Sequence, residues 1–534
     1  MNIILFCVYA VITLISIIFL SLREFHMLQL NGYKTPEHTW WMKKNYKRYI
    51  FPLALFVMQF TSFWTGAAIP MITAFSLFNI SIAIANKPGK KFKKPFVYTA
   101  RVKRMLTTFF ILIAVIFGIA VIIGCQKCKC DQWKKEILTN PVSYILIGSA
   151  LYLTPILAPL ANIINKPIEK YIQNWFINDA KRILSEMPDL HKVGITGSYG
   201  KTSMKFYLSE LLASQYETLK TPESFNTPMG VTITVRRDLK PTHEYFVCEM
   251  GARRVHEIKE LCGIANPHDA IITSVGPQHL ETFGSIENVL NTKFELADSV
   301  SALGKIYLNG DNELIRSKLD KYPTAITYGL NENNDWRASD ITVSDRGTEF
   351  TVTSPDGKSC RYTTKLLGEH SVLNLVGAIA YAVDTGIPME KLVLPVKRIS
   401  AVPHRLQLLD KGNGITFIDD AYNSNPSGCR AALNVLALFD ACRILVTPGM
   451  VELGAKQEEL NYEFGQEAAK ACDYIVLVGK NQTVPIYNGI KDSGYNMEQV
   501  YVANNLNDAL AKVQAYHTDR KKIVLLENDL PDNY

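Results

Sequence analysis

Charged side chains are missing from two long stretches near the N-terminus of the chain. Residues 2–21 carry no charge, and a second uncharged run extends over residues 50–86. Because about 20 apolar helical residues cross a bilayer core of roughly 30 Å, the first run predicts one membrane span. The second run is too long for one helix, and its interruption at Gly66 and Pro70 predicts two spans. The first run lacks a preceding positive segment and a following small-residue cleavage site, which favours a retained span over a removed signal peptide.

Two further apolar runs, at about residues 105–124 and 142–163, raise the predicted number of spans to about five. The charges between the runs predict their orientation, since six Lys or Arg residues lie in 22–49 and eight lie in 87–104. By the positive-inside rule both basic loops face the cytoplasm. With five spans, residues 164–534 lie on that same side. We therefore expect a multi-pass membrane protein with cytoplasmic C-terminal domains.

Nucleic-acid-binding motifs, internal repeats and low-complexity tracts are also absent. The formal net charge of +7 is therefore attributed to membrane topology, and no nucleic-acid partner is expected. Cysteine is thinly spread, and six of the ten cysteines lie in the predicted cytoplasmic part, where reduced thiols are expected. Cys125, Cys128 and Cys130 lie in a predicted external loop without a nearby histidine. A disulfide or an exposed cluster without a role is favoured there over a metal site.

A glycine-rich turn joins a short apolar run to a helical pattern. It contains Gly197, Gly200, Lys201 and Thr202, but Ile195 stands where the first glycine of a complete G-x-x-x-x-G-K-[ST] motif would be. Backbone N–H groups at such a helix N-terminus, a lysine ammonium and a hydroxyl suit a phosphate and its Mg²⁺. The turn predicts a nucleotide-phosphate site, and the alternative is a glycine-rich turn with an exposed lysine.

Short apolar runs alternate with helical patterns after this turn, which predicts buried strands of a parallel sheet. Ligands of such sheets bind at the carboxyl ends of the strands. The candidate chemistry lies there, because Glu249, His279 and Asn309 each follow one of these runs. The three predicted strands are Tyr245–Cys248, Ala270–Thr273 and Lys305–Leu308. An insert of hairpin-like runs is predicted between about 335 and 366.

These motifs, taken in order, resemble those of the Mur ligases, and the downstream ones resemble the branch that adds D-alanyl-D-alanine. The resemblance covers roughly residues 190–530. The motifs of the central part are 196–203, 226–230, Glu249–Ala252, His279–Ser285, Lys293–Glu295 and Asn309–Asp311. The downstream motifs are Gly368–Asn374, His404–Leu406, Ile418–Pro426 and Gly449–Gly454.

The apolar runs predict an α-helical membrane region, and the resemblance implies that α/β domains follow it, the first a P-loop parallel-sheet central domain and the second Rossmann-like. The expected boundaries are a membrane region over 1–163, an amphipathic connecting helix over 164–190, a central ATP-binding domain over 191–398 and a C-terminal domain over 399–534.

The family joins a carboxylate to an amine with ATP, through an acyl phosphate, so the resemblance implies ATP and Mg²⁺ as cofactors. The implied catalytic residues are Lys201, Glu249, His279, Lys293 and Arg405. The implied ATP-binding residues are Thr196, Gly197, Ser198, Tyr199, Gly200, Lys201, Thr202, Ser203, Asn309, Asn374, Arg405 and Asp420. The implied substrate-binding residues are Asn226, Asn423 and Asn425, and the implied metal-binding residues are Thr202, Glu249, His279 and Lys293.

A cationic lysine cannot ligate a metal, so the resemblance implies that Lys293 is carbamylated, which requires a lowered pKa. Each role has an ordinary alternative. Lys293 could pair with Glu287 or Glu295 on a solvated helix face, and His279 could be a satisfied loop histidine. Asn374 could cap a helix, and Arg405 could be a surface residue.

The chain departs from the family in two places. The N-terminal domain that grips the UDP-sugar is missing and the membrane region takes its place, so the acceptor is either UDP-linked or a lipid-linked muropeptide at the inner leaflet. The last strand runs into Glu527, Asn528 and Asp529 instead of a Lys-Gly-Ser-Arg-like stretch. An acidic strand end attracts an amine and repels a carboxylate, so the amine can differ from D-alanyl-D-alanine.

The leading hypothesis is a membrane-anchored, ADP-forming amide ligase of cell-wall precursor synthesis. Its substrates are a UDP-linked or lipid-linked muropeptide and D-alanyl-D-alanine or another amine. The alternatives are a membrane ligase of the polyglutamate type and a non-catalytic scaffold that keeps the nucleotide site as a switch. The lack of a Walker-B-like strand end argues against a transporter ATPase.

Overall fold

The computed structural model describes residues 2–46, 95–125, 141–344, 346–410, 414–421, 425–451 and 453–528. The chain divides into two units, with the boundary between Asn174 and Trp175.

The first unit is helical in its described part. Its helices are α1 (Asn2–Leu30), α2 (Thr35–Lys44), α3 (Ala100–Cys125) and most of α4 (Pro141–Ser185), which continues across the unit boundary. By length and composition alone, three segments of the described residues could cross a membrane: Tyr9–Leu30, Ala100–Ile122 and Ile145–Ser185.

Three of the five predicted spans therefore coincide with helices of suitable length. The predicted pair of spans at 50–86 and the external loop with Cys128 and Cys130 lie outside the described residues. The helices pack through aromatic and charged contacts. The Phe25 ring of α1 lies 5.6 Å from the Phe109 ring of α3, and the Arg104 guanidinium of α3 donates to both carboxylate oxygens of Glu169 in α4, at 2.7 and 2.9 Å.

The second unit begins with the last turns of α4, which pack on the rest of that unit. Arg236 donates through Nε to Asp179 at 2.7 Å, and its guanidinium lies 4.4 Å from the centre of the Phe176 ring. Ala180 and Leu184 are buried in the same core as the sheet that follows.

A nine-stranded sheet of described residues forms the central part, in the order β2-β3-β1-β4-β5-β6-β7-β8-β9. All pairs up to β6–β7 are parallel, and the last two pairs are antiparallel. The strands are β1 (His191–Thr196), β2 (Thr218–Lys220), β3 (Tyr245–Glu249), β4 (Asp269–Ile272), β5 (Ile306–Asn309), β6 (Ile326–Gly329), β7 (Trp336–Ser344), β8 (Gly347–Thr353) and β9 (Ser359–Thr364).

Helices cover both faces of this sheet, which is why its central strands are apolar on both sides. In β1, Val193 and Ile195 pack under α5 and α11, whereas in β3, Phe246 and Cys248 pack under α6, α7 and α9. The helices of this part are α5 (Lys201–Leu212), α6 (Pro228–Asp238), α7 (Glu257–Ala265), α8 (Leu280–Phe283), α9 (Ile286–Asp298), α10 (Glu313–Arg316), α11 (Glu369–Asp384) and α12 (Val393–Arg398).

A second sheet of described residues, in the order β10-β11-β15-β12-β13-β14, forms the C-terminal part. Its edge strand β10 is antiparallel and the other pairs are parallel. The strands are β10 (Gln407–Asp410), β11 (Ile415–Asp420), β12 (Cys442–Thr447), β13 (Tyr474–Val478), β14 (Val500–Ala503) and β15 (Lys522–Glu527). The helices are α13 (Pro426–Ala437), α14 (Gln457–Ala471), α15 (Val484–Asp492) and α16 (Leu506–Ala515). Short 3₁₀ turns occupy Leu319–Lys321, Met389–Leu392, Gly454–Lys456 and Met497–Gln499.

Candidate active site

The glycine-rich turn lies at the carboxyl end of β1 and is named the phosphate loop here, residues 196–202. Gly200 has a φ of +78°, and a Cβ on it would lie 2.9 Å from Oδ1 of Asn374. A Cβ on Gly197 would lie 2.1 Å from the hydroxyl oxygen of Thr273. Both positions therefore have no room for a Cβ atom, and the positive φ of Gly200 also favours glycine.

Side chains of the loop and of the segment after β4 hold the phosphate loop in place. Ser198 accepts a hydrogen bond from the Gly276 N–H at 3.1 Å, and the Tyr199 N–H donates to the Ser274 hydroxyl at 3.0 Å. The Tyr199 phenol donates to the Pro277 carbonyl at 2.8 Å. At the start of the loop, the Thr196 hydroxyl donates to the carbonyl of Met250 at 2.8 Å. These bonds preorganise the loop backbone.

The ammonium of Lys201 lies inside the phosphate loop. Its Nζ donates to the carbonyls of Gly197 and Ser198, at 2.6 and 2.9 Å. Burial lowers the pKa of Lys201 to about 8, with a smaller contribution from the positive charge of Arg405 and an opposing one from Glu249. The exposed-lysine alternative is therefore wrong. Ser203 lies near the Tyr207 phenol and acts to lower its pKa, although burial raises that pKa to about 12.

The carboxylate of Glu249 is the centre of the polar contacts at the end of β3. Its Oε1 accepts from the Thr202 hydroxyl at 3.1 Å and from Nδ2 of Asn226 at 2.9 Å. Its Oε2 lies 3.0 Å from the ammonium of Lys205, and both side chains are 1% exposed. The backbone N–H of Glu249 donates to the Thr221 hydroxyl at 3.1 Å. Two predicted site residues, Thr202 and Asn226, thus both donate hydrogen bonds to a third, Glu249.

Lys293 is buried in α9, with 1% of its side chain exposed, and its Nζ has no hydrogen-bond partner among the described residues. Burial lowers its pKa well below the ordinary value, and the charge of Lys201 lowers it further. The surface-pair alternative is therefore wrong, and Glu295 instead accepts from Nδ1 of His256 at 2.8 Å. The lowered pKa is the condition that carbamylation needs, while the modification itself stays a prediction.

His279 and the two asparagines have different surroundings. His279 has a φ of +52° and precedes α8, where its carbonyl accepts from the Thr282 N–H at 3.0 Å. Asn309 is buried at the end of β5 and donates to the Thr273 carbonyl at 2.7 Å. Asn374 lies inside α11 and donates to the His370 carbonyl at 3.0 Å, so the helix-cap alternative is wrong.

The C-terminal part contributes Arg405 and Asp420. Asp420 is at the end of β11 and accepts from the Leu406 N–H at 3.2 Å. Burial raises the pKa of Asp420 to about 6, against an opposing contribution from Arg405. The charge of Arg405 thus acts on both Asp420 and Lys201, which argues against an ordinary surface arginine.

The predicted substrate-binding asparagines of this part are not both described. Asn425 caps α13, where its Oδ1 accepts from the Gly428 N–H at 2.9 Å. Asn423 lies outside the described residues.

The residues present fit a magnesium nucleotide. Thr202 and Glu249 offer hard oxygen ligands in contact with each other, and Lys293 is a buried amine with no hydrogen-bond partner in the part of the chain that the structure describes. No three His, Cys, Asp or Glu side chains are grouped as a metal site within the described part of the chain. A cation there would depend on the Thr202 hydroxyl as well as on Glu249, and on Lys293 only in its predicted carbamylated form.

Sequence reasoning missed Lys205 and Thr221, although both contact Glu249. The spacing of Lys205, one helical turn after Lys201, was an available signal, because it places both lysines on one face of α5.

Comparison with known families agrees with this geometry. Residues 195–382 match the Mur ligase middle domain, and residues 404–527 match the Mur ligase, glutamate ligase domain. The UDP-N-acetylmuramoyl-tripeptide--D-alanyl-D-alanine ligase of Escherichia coli (strain K12) is 30% identical over 332 residues, which cover 60% of this chain and 73% of the relative. The chain belongs to the Mur ligase family. The resemblance described above is thereby confirmed.

Within the family, the chain is similar to ligases that are named for the addition of D-alanyl-D-alanine. The ligase of the same name from Bacillus subtilis (strain 168) is 32% identical over 288 residues, which cover 54% of this chain and 62% of the relative. The chain thus spans about three fifths of the length of that relative.

Solved structures support the same fold. MurF from Acinetobacter baumannii has a TM-score of 0.62 at 24% identity, over 68% of this chain and 78% of that one. MurF ligase from Thermotoga maritima in complex with ADP has a TM-score of 0.60 at 24% identity, over 67% and 80% of the two chains. At this identity the likeness concerns the fold, and it confirms the predicted Mur-type α/β architecture.

Proposed function

We propose that the protein is a membrane-anchored, ADP-forming amide ligase of the Mur type that acts in bacterial peptidoglycan precursor synthesis. The observation that carries this proposal is the meeting of Lys201, Thr202, Glu249 and Asn226 at one edge of the first sheet. The buried amine of Lys293 lies within the electrostatic reach of Lys201. A non-catalytic scaffold has no need for a buried amine of this kind.

The phosphate loop and Lys201 would bind the phosphates of ATP. The loop amides point from a helix N-terminus, and the ammonium adds a full positive charge. Asn309, Asn374 and Ser203 would complete the nucleotide site on the central domain. Arg405 and Asp420 would bind the nucleotide from the C-terminal domain. The ADP in the Thermotoga maritima structure belongs to a relative of the same fold.

Thr202, Glu249, His279 and carbamylated Lys293 would hold Mg²⁺. Bound there, the ion would neutralise phosphate charge and stabilise the charge that develops in phosphoryl transfer. The low pKa of Lys293 provides the neutral amine that can attack carbon dioxide, forming an N–C bond and releasing a proton.

The chain's own cations would then position the acceptor carboxylate for attack on the terminal phosphate. Lys201 and Arg405 would stabilise the negative charge on the transferred phosphoryl group. Such electrostatic stabilisation is usually the largest contribution to catalysis of a step of this kind. The amine would attack the resulting acyl phosphate, forming the amide bond and releasing phosphate. Closure of the C-terminal domain would exclude water and so limit hydrolysis of the acyl phosphate.

The membrane region bears on the acceptor. We expect a UDP-linked or lipid-linked muropeptide as the acceptor. The lipid-linked form would have the higher effective concentration at an anchored enzyme, because enzyme and acceptor are confined to one surface. The proposed organisation is a multi-pass membrane region over 1–163, a connecting helix over 164–190, and cytoplasmic domains over 191–398 and 399–534.

The amine is D-alanyl-D-alanine or another amine, bound with the help of Asn226, Asn423 and Asn425. Glu527 is buried at the end of β15, where its Oε1 accepts from the Cys429 thiol at 3.3 Å. This acidic strand end favours an amine whose recognition does not depend on its carboxylate.

The test is ADP release by the full-length protein in detergent. UDP-linked and lipid-linked muropeptides are compared across a panel of amines that includes D-alanyl-D-alanine. We expect ADP and phosphate only when acceptor and amine are both present, and no release from Lys201→Ala. Nucleotide binding without ADP release under every mixture would contradict the proposal and support a scaffold.

A further inference from the structure

A second lysine lies behind the phosphate loop and contacts the same carboxylate as Thr202. Lys205 is on α5, one turn after Lys201, and 1% of its side chain is exposed. Its Nζ lies 3.0 Å from Oε2 of Glu249 and donates to the Glu223 carbonyl at 2.5 Å. The lysine thus joins α5, the end of β3 and the loop after β2 in one buried contact.

The contacts of Glu249 limit what its carboxylate can offer to another cation. Each carboxylate oxygen has about two lone-pair sites. On Oε1, both are used by the hydrogen bonds from Thr202 and Asn226. Oε2 accepts no hydrogen bond among the described residues, but the Lys205 ammonium lies against one side of it as an ion pair at 3.0 Å. A cation can therefore bind one oxygen of Glu249 without displacing a hydrogen bond or the ion pair.

This restriction matters because divalent cations differ in how they bind carboxylates. Mg²⁺ is small, requires nearly octahedral geometry and is bound through single carboxylate oxygens, whereas Ca²⁺ is larger and accepts both oxygens of one carboxylate. A carboxylate held to one free position suits the first ion better than the second.

We infer that Lys205 is a specificity-determining residue of the nucleotide site: by holding Oε2 of Glu249, it makes the site select Mg²⁺ over Ca²⁺. The inference rests on the part of the proposed function that places a divalent ion and a nucleotide on Thr202 and Glu249. It does not depend on the acceptor or the amine.

The experiment measures binding of a fluorescent ATP analogue to the full-length protein in detergent, titrated with MgCl₂ or CaCl₂. The quantity compared is the ratio of the Ca²⁺ midpoint to the Mg²⁺ midpoint. In Lys205→Met, Oε2 is released, so we expect this ratio to fall at least tenfold, mainly through tighter Ca²⁺ binding. Lys205→Gln keeps a hydrogen-bond donor, and its ratio should stay within threefold of that of the unaltered protein.

Lys220→Met is the matched control. Lys220 of β2 pairs with Glu210 of α5 at 2.9 Å, and the two side chains are 28% and 47% exposed. Its ratio should equal that of the unaltered protein. A purely structural role of Lys205 would instead weaken binding with both ions alike and leave the ratio unchanged, which would overturn the inference. An unaltered protein without preference for Mg²⁺ would also overturn it.

A second measurement needs no variant at position 205. Infrared difference spectra on addition of each ion, with Glu249→Gln as the reference, separate carboxylates bound through one oxygen from those bound through two. We expect the one-oxygen signature with Mg²⁺, and a two-oxygen signature with Mg²⁺ would refute the inference. Because both readouts omit acceptor and amine, a protein that binds magnesium nucleotide without ligating would contradict the proposed function and leave this inference intact.

Discussion

Lys293 shows how a functional requirement and a stability cost coincide in one residue. Its amine is buried without a hydrogen-bond partner in the described structure. Leaving such a group buried costs about 1–3 kcal/mol. We expect Lys293→Met, which removes the amine and keeps the volume, to raise the free energy of unfolding by about that amount at pH 7. The same variant should lose ADP release. Stability is measured separately, by thermal unfolding in bicarbonate-free buffer, in which Lys293 stays an unmodified amine.

The stability gained by Lys293→Met should depend on pH in a defined direction. Because burial lowers the pKa of Lys293, the unfolded chain binds a proton below about pH 10.4 that the folded protein does not. The stability cost is therefore small above that pH and grows as pH falls towards neutrality. Lys321→Met, which removes a surface pair with Asp298, should change stability by less than about 1 kcal/mol. An equal gain in both variants would contradict the argument.

Gly200 permits a test of space at the phosphate loop. Gly200→Ala would place a Cβ 2.9 Å from Asn374 and hold a side-chain-bearing residue at a φ of +78°. We expect a loss of about 1–2 kcal/mol of stability from the backbone and a loss of ATP-analogue binding from the displaced loop. Gly386→Ala is the control, because Gly386 has a φ of +100° and open space around its Cβ. That variant should lose similar stability and keep nucleotide binding, as measured by fluorescence titration.

At the scale of elements, a polar network ties the amino ends of the central strands together. Asp269 of β4 accepts from His191 of β1 at 2.6 Å, from the Lys305 N–H at 2.7 Å and from the Tyr381 phenol of α11 at 2.8 Å. Burial acts to raise the pKa of Asp269, but these hydrogen bonds outweigh it and hold the pKa below its ordinary value. The ionised carboxylate therefore stabilises the sheet.

We expect Asp269→Asn to lower the free energy of unfolding by about 1–3 kcal/mol at pH 7. Since the folded pKa is lowered, the contribution of Asp269 is present above about pH 4, the pKa of the unfolded chain, and is lost as pH falls through the folded value. The difference in unfolding free energy between the variant and the unaltered protein should thus shrink in acid. Thermal unfolding at pH 7 and at pH 3 measures this difference. Asp238→Asn, at a surface pair with Arg237, should have little effect at either pH.

Elements were more predictable from sequence than contacts. The strands expected at Tyr245–Cys248 and Ala270–Thr273 are present within one residue, because continuous apolar runs between turns are specific to buried parallel strands. Helix α4, in contrast, continues from Pro141 to Ser185 through three prolines without a break at 163. Such continuity depends on tertiary packing, which a hydropathy pattern does not contain.

The site was predictable as a set of residues and not as a set of contacts. The motif around Lys201 identified the phosphate loop, since glycine spacing is dictated by backbone space. The spacing of Lys205 after Lys201 indicates a shared helix face but not a contact with Glu249, because a lysine within a helix is ordinarily a surface residue. Its burial results from the pairing of three separate segments, which only the folded structure shows.

At the scale of the whole molecule, the prediction concerns which side of the membrane carries the catalytic domains. The basic loops at 22–49 and 87–104 place residues 164–534 in the cytoplasm if about five spans are present. Three segments of the described residues have the length and composition of spans. An odd number of spans with cytoplasmic basic loops gives an external N-terminus, and a nucleotide-dependent ligase requires a cytoplasmic C-terminal part.

We expect protease added to intact spheroplasts to leave a C-terminal epitope tag untouched, and protease added to inverted vesicles to remove it. A tag at the N-terminus should show the opposite pattern, because about five spans place the two ends on opposite sides. Detergent-permeabilised spheroplasts, in which both tags are removed, serve as the control for cleavability. Loss of the C-terminal tag in intact spheroplasts would contradict the topology and, with it, a ligase that depends on cytoplasmic ATP. If intact spheroplasts lose neither tag, the number of spans is even and both ends lie in the cytoplasm. The ligase would then still have access to cytoplasmic ATP.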